Sequence, residues 1–139
     1  MNARDERIFR DQSNGYGATT WYFPDGDLPP AADGDWEPHE ALMILNVSDK
    51  PANIRLDIFW SNQPPTLGLA TIVEPERVVS LRAPYAEIDA DGNPFTIPIR
   101  TQYALRVRSD VPIICQYGRL ELVPSFALYT TMGFSDRED

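Results

Sequence analysis

With one histidine, His39, and one cysteine, Cys115, in 139 residues, any catalytic triad or dyad must use His39 or do without histidine. Glu40 follows His39 directly and an apolar run follows both. Neighbours on a strand point to opposite faces, so His39 and Glu40 do not make an acid and base pair on one surface. Cleavage of a sugar needs two carboxylates flanking a bond, and Glu40 has no evident sequence partner for that role. Cys115 ends the apolar run Val111 to Cys115, which predicts a buried, inert thiol and excludes disulfides and multi-cysteine metal sites within the chain. The expectation is a protein that binds and does not catalyse.

Asp89, Asp91 and Asn93 alternate around a glycine in the manner of a calcium loop. The glycine, Gly92, is the fourth residue where the EF-hand pattern needs the sixth, and Arg100 stands in place of the twelfth-position glutamate. A plain turn is the better reading. Asp25-Gly26-Asp27 and Asp33-Gly34-Asp35 likewise read as solvated turns, so neither metal nor cofactor is expected.

More informative are polar residues set inside apolar strands, because a buried amide or guanidinium is costly unless it is paired. Asn46, Arg82, Gln116 and Arg119 qualify. Either they stitch strands or subunits together or they face a ligand, and the pattern alone favours stitching. The aromatic set Trp21, Tyr22, Phe23, Trp36, Trp60, Tyr103 and Tyr117 reads as core by default, with a sugar-stacking platform as the sharper alternative.

The elements that must position these residues are strands. Ile54, Leu56, Ile58 and Trp60 face one way while Arg55, Asp57 and Phe59 face the other, and Tyr103, Leu105 and Val107 alternate with Ala104, Arg106 and Arg108. Further strands are expected over 19–23, 41–47, 69–73, 77–81, 112–122 and 126–133, with no lasting helical period. Turn residues at 48–51, 62–65 and 89–94 separate them, and 13 prolines stiffen the loops. The predicted fold is all-β, a two-sheet antiparallel β-sandwich of jelly-roll type with about eight short strands. Residues 1–15 read as a mobile charged arm, 16–134 as the sandwich domain and 135–139 as an acidic tail.

Acidic residues number 21 against 12 basic ones, a formal charge of -9 that repels polyphosphate at long range. Nucleic-acid binding is therefore disfavoured unless Arg100, Arg106 and Arg108 form a local patch. No run resembles a signal-peptide core or approaches a membrane span, so a cytoplasmic location is expected.

The order of Trp21, Asp25-Gly26, Pro29-Pro30, His39-Glu40, Ile44-Leu45-Asn46, Val111-Pro112, Gln116 and Arg119-Leu120 resembles the sensory rhodopsin transducer family. The likeness runs from about Gly17 to Gly133, and Asp27 departs from it where an aromatic is expected beside Gly26. The resemblance implies a small antiparallel β-sandwich assembled as a homotetramer, a small-molecule-binding module for a sugar or sugar-derived compound, and partnership with a membrane photoreceptor. It also implies Trp21, His39, Glu40, Asn46, Arg82, Gln116 and Arg119 as ligand-binding positions. The alternative is a protein-interaction adaptor that docks to a membrane receptor without a small ligand. An oligomer contact is expected on the face that Tyr117 and Arg119 share.

Overall fold

The computed structural model describes residues 17–83 and 97–136, and these contain strands and no helix. The elements are β1 (Ala18–Asp27), β2 (His39–Asn46), β3 (Ala52–Trp60), β4 (Thr66–Val73), β5 (Arg77–Ala83), β6 (Gln102–Glu121), β7 (Ala127–Met132) and β8 (Phe134–Asp136). Every pairing is antiparallel. The arm, the turn at 89–94 and the last residues of the tail lie outside the described residues.

Two sheets share one strand. The first runs β4-β3-β6-β1-β8, and the second sets β2 and β7 on either side of the later half of β6, with β5 beyond β2. Where two strands were expected over 103–108 and 112–122, a single 20-residue strand continues. Pro112 has no N–H to give a ladder. It lies between Ser109, the last β6 residue paired with β3, and Ile114, the first paired with β2, where the chain leaves one sheet for the other.

Inward residues of both sheets close one core: Trp21 and Phe23 of β1, Leu42 and Ile44 of β2, Ile54, Leu56 and Ile58 of β3, and Tyr103, Leu105, Val107, Ile113, Cys115 and Tyr117 of β6. The Phe23 and Tyr117 rings meet across it with centroids 5.8 Å apart. The all-β sandwich read from alternation is the fold. Cys115 is wholly buried, and burial pushes its thiol up to about 12, so it is a poor nucleophile at neutral pH.

Asp25-Gly26-Asp27 corrects the sequence reading, since it is the end of β1 and not a turn. The register shifts between Phe23 and Gly26, and Gly26 then lies opposite Tyr103. A Cβ at Gly26 would stand 2.5 Å from the Tyr103 ring. Gly26→Ala should therefore cost about 1 to 3 kcal/mol by overpacking and displace the Tyr103 hydroxyl. Urea denaturation checks this, and a cost below about 0.5 kcal/mol would mean that the ring moves freely.

Candidate functional site

Across the inner face of the second sheet, Glu40 of β2, Arg119 of β6 and Tyr129 of β7 lie in one cross-strand row. Alternation decides which residues reach it: with Leu42 and Ile44 in the core, Glu40 must also point inward, and it is completely buried. A buried carboxylate needs partners, and Glu40 has them. Its Oε1 accepts from the Tyr103 hydroxyl at 2.8 Å and from the Asp27 backbone N–H at 3.0 Å, and its Oε2 accepts from Arg119 Nε at 3.2 Å. The Tyr103 and Tyr117 hydroxyls lie 2.5 Å apart, which carries the network from one sheet to the other.

Arg119 continues outward. Its Nη2 donates to the Asp25 carbonyl at 3.3 Å and to Asp25 Oδ1 at 3.4 Å, and its guanidinium carbon lies 5.1 Å from the centre of the Tyr129 ring. Burial works against the Arg119 charge, but the neighbouring Glu40 carboxylate, with Tyr129 and Asp25, outweighs it and holds the pKa above the usual guanidinium value. The Tyr129 hydroxyl donates to Asp25 Oδ2 at 3.2 Å. Burial, reinforced by Asp25 and opposed by Arg119, pushes that hydroxyl up to about 12, so it keeps its proton at neutral pH.

Beside this network lies a cleft of about 370 Å³ between the edges of the two sheets. Phe23, Pro24 and Asp25 line it from β1, Tyr117 from β6, and Tyr129, Thr130 and Thr131 from β7, with Gly133 and Phe134 closing one end. The volume suits a small ligand of monosaccharide size.

The residues singled out in the sequence divide. Glu40 and Arg119 meet behind the cleft lining, and neither Tyr129 nor Asp25 was expected as a ligand-binding position. Trp21 is a core residue whose indole N–H donates to the carbonyls of Ile113 at 3.0 Å and Ala18 at 3.2 Å, so it offers no platform to solvent. Asn46 is fully buried and structural. Its Nδ2 donates to the carbonyls of Lys50, Val73 and Glu74, and its Oδ1 accepts from the backbone and hydroxyl of Ser48.

Arg82 and Gln116 are exposed, which corrects the expectation that apolar flanks would bury them. Gln116 pairs in register with Met43, and Arg82 with Ala41, on the outer face of the second sheet. Near Gln116 that face carries the apolar side chains of Met43, Leu45 and Ile114, and near Arg82 it carries Ser80 and His39. His39 is on the same side by alternation, its Nδ1 donating to the Glu37 carbonyl at 2.8 Å. The face shared by Tyr117 and Arg119 is the core face, so a subunit contact cannot use it.

A further feature escaped the sequence. Asp57 alternates onto the outer face of the first sheet yet is completely buried. Arg106 Nε and Arg108 Nε cover its Oδ2 at 2.7 and 2.8 Å, while Arg108 Nη2 and the Gly68 N–H reach its Oδ1 at 2.9 and 3.0 Å.

The comparisons with known proteins agree with this architecture. The model of the family described as Anabaena sensory rhodopsin transducer matches residues 16–135. The chain belongs to that family. Among solved structures, a Thermotoga maritima protein, 1070, is 29% identical with a TM-score of 0.74, covering 86% of this chain and 96% of its own. The Anabaena sensory rhodopsin transducer is 28% identical with a TM-score of 0.58, covering 73% and 96%. No curated protein sequence matches. The transducer family thus accounts for the sandwich and for the span over which the sequence resemblance runs.

Proposed function

We propose that this transducer-family chain is a non-catalytic, ligand-binding signalling module whose cleft between β1 and β7 takes a sugar or sugar-derived molecule. The observation that carries the reading is the coincidence of a small cleft with a buried, fully paired Glu40–Arg119 network directly behind it. Such a network fixes Tyr129 and Asp25 in place before a ligand arrives, which lowers the cost of binding. The cysteine and the histidine are both out of reach of the cleft: Cys115 is buried, and His39 is on the opposite face of β2 from Glu40.

Coupling to a partner follows from β7. Tyr129 lines the cleft while Leu128, its neighbour, is exposed on the other face of the strand, so β7 joins the ligand site to the outer face. That face carries Val78 in the row of Leu45 and Ile114 at one end and Leu128 in the row of Leu120 at the other, each of the two 63% exposed. It suits assembly into a homotetramer or docking to a membrane receptor, and a charge of -9 complements the Lys/Arg-rich cytoplasmic loops of such receptors. The same apolar face favours a second reading, an adaptor that needs no small ligand. The protein works in the cytoplasm in either case.

Thermal melting against a panel of sugars and sugar derivatives tests the first reading. A ligand at a hundred times its Kd should stabilise the protein by about 2.7 kcal/mol, and Tyr129→Ala should abolish the shift. No shift with any compound would leave the adaptor ahead. Light scattering should report a tetramer, and a monomer at micromolar concentration would contradict the assembly.

A further inference from the structure

The cleft is unbalanced in charge, and the imbalance is exposed on one side only. Arg119 supplies one positive charge against the two carboxylates that it touches, Glu40 and Asp25. Its side chain is only 12% exposed, turned toward Glu40 and lying over Tyr129, whereas the Asp25 side chain is 65% exposed. An incoming molecule therefore meets the carboxylate and not the guanidinium. Among the described residues no lysine, arginine or histidine lines the cleft, while four aromatic residues do, Phe134 the most exposed of them at 70% and Tyr129 with one ring face already under Arg119. Ring faces attract cations, and the chain's charge of -9 adds a field that draws cations and repels anions.

We propose that the cleft selects a ligand carrying an ammonium group on a hydroxylated frame, an amino sugar or a similar hydroxylated amine, with the ammonium against Asp25 and the aromatic rings. The proposal rests on the reading of the cleft as a ligand site and adds the charge of what enters it. A sugar acid is disfavoured, because its carboxylate would approach Asp25 with no exposed cation in the lining to receive it. A neutral sugar loses the ionic contact and the cation–ring attraction.

Titration calorimetry at low salt with glucosamine, glucose and glucuronate tests this, at about pH 6 where an aliphatic amine is protonated. Glucosamine should bind about tenfold tighter than glucose, glucuronate should bind weakest, and added salt should narrow the spread. Asp25→Asn should weaken glucosamine about fivefold more than it weakens glucose, since an ion pair at a partly exposed carboxylate contributes modestly. Asp33→Asn, at an exposed loop position outside the cleft, makes the same change in net charge and should keep the preference. Equal binding of glucose and glucosamine, or a loss of preference in Asp33→Asn as large as in Asp25→Asn, would overturn the ammonium inference and leave the cleft standing as a sugar site. Binding of none of the three would overturn both.

Discussion

Glu40→Ala should destabilise the protein by about 3 to 5 kcal/mol, because it strips a buried guanidinium of its partner and leaves the Tyr103 hydroxyl and the Asp27 N–H without their acceptor. At about 3 °C per kcal/mol for a domain of this size, the melting temperature should fall by roughly 10 °C. Removing both charges tells the cost of the orphan from the strength of the pair. Glu40→Gln with Arg119→Met leaves no buried ion unpaired, so the double variant should be more stable than Glu40→Ala despite carrying two changes. Urea denaturation of the three proteins measures this. A Glu40→Ala cost below about 1 kcal/mol would show that the network can open to water, and the preorganisation argued for the cleft would go with it.

Asp57→Asn should cost about 2 kcal/mol at neutral pH. The figure is set below that for Glu40 because the side chains of Arg106 and Arg108 are 30% and 46% exposed and can turn to water. The effect should also depend on pH. Burial pushes the Asp57 carboxyl up, but hydrogen bonds from Arg108, Arg106 and the Gly68 N–H, with the Arg108 charge, outweigh it and hold its pKa below the ordinary carboxylate value. A pKa that is lower in the folded than in the unfolded chain gives stability that is present above the unfolded value and lost as pH falls through the folded one. The stability gap between wild type and Asp57→Asn should therefore narrow below about pH 4. A gap that stays constant into acid would mean that the carboxylate and the two arginines are not coupled.

Much of the fold was legible because alternation reports burial directly. Ile54 to Trp60 and Tyr103 to Val107 have inner and outer faces as the sequence reads them, and the opposition of His39 and Glu40 follows from the same period. What was not legible depends on partners far away in the chain. Asp57 looks like an ordinary wet-face carboxylate until the register of β3 against β6 sets Arg106 and Arg108 over it. Asp25 and Gly26 carry turn chemistry locally, and only the Tyr103 ring explains why a glycine belongs inside β1.

The candidate site was half legible for a related reason. Glu40 and Arg119 stand out as charges in apolar strands, whereas Tyr129 and Asp25 lie in segments whose local sequence gives no hint that β1 and β7 face each other across a cleft. Arg82 and Gln116 misled because the apolar residues next to them in sequence, Leu81, Cys115 and Tyr117, do face the core, while alternation turns Arg82 and Gln116 outward, opposite Ala41 and Met43.

The central claim is that a small molecule enters between β1 and β7. Backbone amide chemical-shift mapping during titration with glucosamine tests it most directly, since every described strand reports separately. The account predicts saturating shifts at Asp25, Tyr117, Tyr129 and Thr131, with smaller ones at Glu40 and Arg119 behind them. Shifts confined to His39, Arg82 and Gln116 on the outer face, or no saturating shift anywhere, would contradict it.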